Sequence, residues 1–339
     1  MTERDAPPLS WDGARLRILD QTLLPFEERV LELRGAADTA EAIRRLSVRG
    51  APLIGVAAAY GLAMEVARRA TPEALDEGWK LLRGARPTAA NLAWAVDRVR
   101  DAALAAGGDA MAAAARTDAE AIHAEEDLAS ARMATHGAEL LAGARRVLTH
   151  CNTGALAAGG RGTALGVILE LADRGTVRVL VNETRPLLQG GRLTVWELRR
   201  AGVEHDLLAD GAAAGLIARG EADAVVVGCD RVAANGDVAN KVGTYSLALA
   251  ARAAGIPFVV VGPTSSIDAA LDSGAGIPIE ERDADEVRRA GGALLTVEGT
   301  PCRNPAFDLT PADLISALVT ERGVVQPVDR PGVAAVLAP

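Results

Sequence analysis

From Arg146 the chain keeps returning to one pattern. Short runs of branched aliphatic residues, RRVLTH, VRVLVN, HDLLAD, DAVVVG and PFVVVG, alternate with segments of helical character. Continuous rather than alternating apolar character marks strands covered on both faces, the condition of a parallel sheet. Parallel strands are joined by crossovers, and the intervening helical segments supply them. The pattern predicts a Rossmann-like, doubly wound parallel-sheet α/β domain over residues 131–339.

Residues 1–130 read differently, as a mainly helical N-terminal domain. They are rich in alanine and look helical after a start, LRILDQTLLP, that has strand character. TPEALDEGWKLLRGA places Thr71 as an N-cap and Pro72 at the first helical position. NLAWAVDRVRDAALAAG puts Leu92, Ala95, Val96 and Val99 on one face before a glycine stop. TDAEAIHAEEDLASARMATHGAELLAG reads equally as one long helix or two. Near the C-terminus, TPADLISALVTERG predicts a helix capped by Thr310, with Pro311 next, Asp313 in the first turn and Gly323 as the stop.

Composition excludes several classes of function. A net charge of −9, with no basic stripe or interleaved aromatics, argues against nucleic acid as a partner but leaves room for a small anion. Met1–Ser10 lacks the apolar region of a secretory signal, and Gly50–Met64 is too short and glycine-rich for a membrane span. Cys151, Cys229 and Cys302 are too dispersed for a disulfide framework or a zinc site. His123, His136, His150 and His205 form no metal-binding pair. A cytoplasmic protein with no membrane partner, no metal and no cofactor is expected.

In open α/β sheets the ligand lies beyond the carboxyl ends of the strands. Those ends read CNTG, NETRPLLQGGRLT, CDRVAANGDVANKVGT and GPTSS, all rich in polar, glycine and charged residues. A lone cysteine is commonly a small buried hydrophobe. Here the Cys151 thiol and the Asp230 carboxyl share a position, just past a strand, which points both towards function. GGRGTALG resembles a dinucleotide fingerprint, with Glu183 where a ribose-binding acid would be, but Gly160, Gly162 and Gly166 are misspaced for it. A helix start offering N–H groups to phosphate, or a packing turn, both remain open. Asn240 and Lys241 precede a helix, and Arg49 and Arg86 stand ahead of proline-stiffened turns at Gly50-Ala51-Pro52 and Pro87. His150 and Cys151 are neighbours with side chains on opposite faces, so no Cys–His dyad is implied.

The motifs ILDQTLLP, VRGAPLIG, ARPTAANL, HCNTGALA, GTALGV, NETRPLLQGGRLTVWEL, DRVAANGDVANKVGT and NPAFDLTPADLI occur in this order from about Ile18 to Gly323. In this the chain resembles the methylthioribose-1-phosphate isomerases, whose superfamily includes the ribose-1,5-bisphosphate isomerases and the regulatory subunits of the eukaryotic translation-initiation exchange factor. The resemblance implies an aldose–ketose isomerase with Cys151 and Asp230 as the catalytic pair. It implies Arg49, Gly50, Ala51, Arg86, Gln189, Asn240 and Lys241 as substrate-binding residues, a sugar phosphate as substrate, and a homodimer. The sequence departs from the family pattern at Gly160-Arg161, at Cys229 and at Arg303, none of which removes a functional group.

Overall fold

A computed structural model describes residues 7–86, 89–175 and 177–338. Most of the N-terminal stretch read for a signal, and Pro87, lie outside the described residues. The chain divides into two compact units. One runs to Ala131 and adds Gly154–Gly162, and the other takes Arg132–Thr153 and Thr163 onward.

The first unit opens with an antiparallel sheet of β1 (Leu9–Trp11), β2 (Leu16–Leu19) and β3 (Val30–Leu33). Helices α1 (Ala36–Arg44), α2 (Ala51–Arg68), α3 (Pro72–Arg83) and α4 (Ala90–Ala106) follow. The run Pro52–Met64 of α2 is buried on every side, and α1, α3 and α4 pack against it. A helix apolar all round needs such a jacket, because no face of it is suited to water. Leu92, Ala95, Val96 and Val99 of α4 are buried and Gly107 ends the helix, as the periodicity predicts. The ambiguous stretch is one helix, α5 (Met111–Leu140).

The second unit is built on β4 (Arg146–Thr149), β5 (Arg178–Asn182), β6 (His205–Leu208), β7 (Ala224–Val227), β10 (Phe258–Val261), β15 (Ala317–Thr320) and β16 (Gly323–Val325). Among the described residues these form one sheet in the order β16-β15-β10-β7-β4-β5-β6, parallel except for the β15–β16 hairpin. Helices α7 (Ala164–Arg174), α8 (Val195–Arg200), α9 (Ala213–Ala218) and α10 (Thr244–Ala254) lie between strands, while the short α6 (Ala155–Ala158) belongs to the first unit. Leu148, Val225, Val227 and Val260 join Ile217 of α9 and Leu247 and Ala251 of α10 in one core. Alternate residues Val147, Val226 and Val259 are also buried, and α7 packs on β4 and β7. Each buried branched side chain contributes about 1.5–3 kcal/mol, which makes this doubly covered sheet the main store of stability in the unit. Edge strand β6 departs from full cover, with Leu207 half exposed.

One reading needs correction. TPADLISALVTERG is not a helix: Thr310 ends strand β14 (Phe307–Thr310), Ala312–Leu314 is a single 3-10 turn, and Ala317–Thr320 is sheet strand β15. All four residues of β15 are buried beside β10, so pairing inside the sheet overrides the local cap and stop signals. The stretch after Asp230 is ordered by strand pairing. It forms the hairpin of β8 (Arg231–Ala233) and β9 (Val238–Lys241) within a small sheet ordered β11-β8-β9-β14, where β11 is Ile267–Asp268. A two-stranded ribbon of β12 (Arg289–Ala290) and β13 (Ala293–Leu294) lies between β11 and β14 in sequence.

The Thr71 cap is present, its side chain accepting from the Ala74 N–H at 3.2 Å with Pro72 inside the first turn. Thr71→Ala is expected to cost about 1 kcal/mol, read as a lower urea midpoint in circular dichroism. An unchanged midpoint would refute the cap.

Candidate active site

Strand order in the main sheet reverses at β4. The chain fills β4, β5 and β6 outward in one direction, then returns to lay β7 on the other side of β4. Loops leaving β4 and β7 therefore diverge and leave a crevice at their carboxyl ends. Thr149 of β4 stands opposite Val226 of β7, so Cys151 and Asp230 leave from neighbouring strands at the reversal.

Cys151 is buried and has a left-handed backbone, with φ of 64°. That conformation is strained for a residue with a Cβ and persists only where surroundings enforce it. Two threonines do so. The Cys151 N–H donates to Thr184 Oγ1 at 2.8 Å, and the Thr194 hydroxyl donates to the Cys151 carbonyl at 2.6 Å. Asn152 reinforces the turn by donating to Thr194 Oγ1 at 3.2 Å and to the Glu197 carboxylate. Thr153 ties it to the start of α7, accepting from the Leu165 N–H on its hydroxyl and from the Thr163 N–H on its carbonyl.

Asp230 follows β7 and donates its N–H to the Ala239 carbonyl at 2.9 Å, which anchors it to the β8–β9 hairpin. Its neighbour Cys229 is a poor nucleophile. Burial, and then the adjacent Asp230 carboxylate, push the Cys229 thiol up to about 12. Asn240 is buried on β9 and donates to Thr244 Oγ1 at 2.9 Å. Lys241 donates to the Ala306 carbonyl at 2.8 Å and lies 4.6 Å from the Phe307 ring centre. Gln189 is buried on the segment after β5, and its Oε1 has no hydrogen-bond partner among the described residues. A buried acceptor left unsatisfied suits a ligand hydroxyl.

The remaining predicted residues belong to the first unit. Arg49 is buried and donates to Gln21 Oε1 at 3.1 Å, while Gln21 donates to the Leu156 carbonyl at 2.7 Å. Gly50 caps α2 at φ of 89°, and a Cβ there would lie 2.2 Å from the Ala157 carbonyl oxygen, so only glycine fits. Ala51 is the first residue of α2, placing Arg49 beside the positive end of that helix. Arg86 is partly exposed after α3.

Sequence reasoning missed several supporting residues. Thr184 and Thr194 lie in a quoted motif, but nothing local shows that they grip a turn more than thirty residues earlier. Asp308 is another. Its carboxylate accepts from the Gly243 N–H at 2.7 Å and the Tyr245 N–H at 3.1 Å, capping α10 just after Asn240 and Lys241. Burial nevertheless wins over those donors and raises Asp308 to about 6. The usual aspartate value is about 3.9, so the folded state retains a proton that the unfolded chain has lost between those limits. The stability this contributes is fully present below about pH 4 and is lost as pH rises through about 6. Wild-type stability in urea should therefore fall relative to that of Asp308→Asn as pH rises from 4.5 to 7. A pH-independent difference would refute the buried carboxyl.

The raised Cys229 thiol carries its own expectation. At pH 8 its thiolate fraction is on the order of 10⁻⁴, so peptide mapping after iodoacetamide treatment of the folded protein should leave Cys229 unmodified. Rapid alkylation there would contradict the raised thiol.

Comparison with known proteins agrees over nearly the whole chain. The sequence pattern of the Initiation factor 2 subunit family matches residues 47–327. The chain is 54% identical over 322 residues to the methylthioribose-1-phosphate isomerase of Anaeromyxobacter sp. (strain K), covering 94% of each chain. It is 50% identical over 330 residues to the enzyme of that name from Syntrophotalea carbinolica, covering 94% of this chain and 96% of the other. Among solved structures, 5-methylthioribose 1-phosphate isomerase from Pyrococcus horikoshii OT3 superposes with a TM-score of 0.90 at 38% identity, covering 99% of both chains. The translation initiation factor eIF-2B subunit delta from A. fulgidus gives 0.85 at 37%, covering 98% of this chain and 100% of the other.

Proposed function

We infer the chemistry from descent and geometry together: the chain belongs to the Initiation factor 2 subunit family and, within it, to the methylthioribose-1-phosphate isomerases. It is an aldose–ketose isomerase that converts 5-methylthio-α-D-ribose 1-phosphate to 5-methylthio-D-ribulose 1-phosphate. The observation that carries our assignment of residues is the departure of Cys151 and Asp230 from adjacent strands where the sheet reverses.

A phosphate on the anomeric oxygen blocks the simple ring opening of a free sugar. The ring C1–O bond must break with a proton delivered to the ring oxygen, leaving C1 electron-poor and C2–H acidic. We assign that delivery to Asp230 as general acid. Cys151 removes the C2 proton as a thiolate, giving an enol between C1 and C2, and returns a proton to C1. The C2 hydroxyl proton passes back to the Asp230 carboxylate as the ketone forms. Each group ends in its starting state, and acid–base catalysis of this kind contributes about 10²–10⁴-fold per group.

Gln189 and Asn240 are assigned to the sugar hydroxyls, supported by the open acceptor on Gln189. Lys241 is assigned to the phosphate, which cations attract, and Arg49, Gly50, Ala51 and Arg86 are assigned to substrate binding on family membership alone. Among the described residues no helix is long and apolar enough to cross a membrane, and no His, Cys, Asp and Glu cluster is arranged to hold a metal. A cytoplasmic homodimer working in methionine salvage completes the reading.

Proton NMR of the purified protein with methylthioribose 1-phosphate tests it. Wild type should form the ketose, while Cys151→Ser and Asp230→Asn should each lose about 10²–10⁴-fold in kcat. Full activity in either variant would remove that residue from the reaction. With C2-deuterated substrate in water, washout of deuterium supports proton abstraction, whereas complete transfer to C1 would replace it with a hydride shift. A marked preference for ribose 1,5-bisphosphate in parallel assays would change the substrate.

A further inference from the structure

His150 sits between the two turns that carry the assigned chemistry, and both of its ring nitrogens are engaged. It is almost wholly buried, directly before Cys151. Its Nε2 lies 2.8 Å from the Val242 carbonyl, one residue past Lys241. A carbonyl only accepts, so Nε2 carries the proton. On the other side, Nδ1 lies 3.3 Å from Asn182 Nδ2 and 3.4 Å from Thr184 Oγ1. An Nε2–H tautomer leaves Nδ1 as an acceptor, which the Asn182 amide satisfies as a donor. Burial holds the ring well below the ordinary imidazole range, in keeping with a neutral side chain.

The ring also lies close against the Gly243 backbone. Gly243 has φ of 105°, and a Cβ on it would stand 3.1 Å from both His150 Cε1 and Nε2. Beyond it, the Gly243 N–H is held by Asp308. On the near side, Thr184 Oγ1 accepts from the Cys151 N–H at 2.8 Å. A chain of contacts thus runs from Cys151 through Thr184 and the imidazole to the Val242–Gly243 turn, and on to the Asp308 carboxylate.

We propose that His150 is a positioning residue, a neutral strut that holds the left-handed Cys151 turn in fixed register with the turn following Asn240 and Lys241. This rests on the reading of Cys151 as a reacting group and of Asn240 and Lys241 as substrate contacts. His150 does not exchange protons with the substrate. It sets the separation between the thiol and the groups that hold the sugar, and a misplacement of about 1 Å between such groups costs on the order of 10²-fold in rate. A core filler of equal volume would pack there without using either nitrogen.

Three variants test the strut. His150→Gln keeps a donor that reaches the Val242 carbonyl, whereas His150→Leu keeps volume alone. Thr184→Val removes the acceptor for the Cys151 N–H at nearly constant shape. Circular dichroism and thermal midpoints establish folding first. Expected is a kcat within about fivefold of wild type for His150→Gln and a loss of about 10²-fold for His150→Leu, with a severalfold rise in KM. Thr184→Val should lose a comparable factor. The His150→Leu/Thr184→Val double variant should fall by much less than the product of the single losses, because one strut can be broken only once. Should His150→Leu not fold, the His150→Gln and Thr184→Val measurements decide alone.

Amide exchange supplies a readout independent of turnover. Exchange at Cys151 and at Gly243 should accelerate together in His150→Leu, by about tenfold or more, and stay slow in His150→Gln. Wild-type kinetics in His150→Leu, equal losses in the leucine and glutamine variants, or acceleration at only one of the two amides would each overturn the strut. Wild-type protein that fails to isomerise methylthioribose 1-phosphate would instead overturn the functional reading, leaving the exchange result to judge the strut.

Discussion

The pairing of β4 with β7 is the contact on which the second unit depends. These strands are distant in sequence, yet their hydrogen bonds bring the residues after Thr149 and after Val227 to one end of the sheet. Both strands are buried among branched side chains, so a one-residue slip would drive the Thr149 hydroxyl and the aliphatic residues into the wrong layers. Thr149 reinforces the register directly, donating its hydroxyl to the Val226 carbonyl at 2.8 Å. The polar ends of the strands inherit that precision.

What lies beyond the strand ends is held by polar contacts that are almost all out of water. Thr184, Thr194, Asn182 and Asn152 are buried, and each supports the Cys151 turn or the imidazole behind it. Buried polar groups are costly unless paired, and of this network only the Asn182 Oδ1 atom has no hydrogen-bond partner among the described residues. The strain of a left-handed cysteine, typically about 1–3 kcal/mol, is offset by these bonds rather than relieved. A rigid thiol suits the proton abstraction proposed for it.

Burial also sorts groups of the same type into different roles. Cys229 and Cys151 both follow sheet strands, yet Cys229 is held as a thiol chiefly by desolvation. Asp230 and Asp308 are both carboxylates near the β8–β9 hairpin, but Asp308 is committed to backbone N–H groups at the start of α10. Neither distinction follows from residue identity. It follows from which groups share the low-dielectric space and which donors face them.

Periodicity and strand-end logic were sufficient for the helical first unit, the parallel sheet, and the placement of Cys151 and Asp230 just past their strands. Those features depend on local patterns, apolar spacing and capping residues, that a chain carries in any fold. TPADLISALVTERG shows the limit, since its caps favour a helix while a vacant position beside β10 makes it a strand. His150 shows it too: alternation along a strand puts its side chain away from Cys151, but only the folded chain brings Val242, Gly243 and Thr184 around that ring. By itself the sequence determined most of the helices and strands and the placement of Cys151 and Asp230 just past theirs, because these depend on neighbours a few residues apart. The tertiary structure alone decided the hydrogen-bond partners of the Cys151 turn, the neutral His150 ring behind it and the strained backbone that presents the thiol, because these depend on pairings across thirty to more than ninety residues.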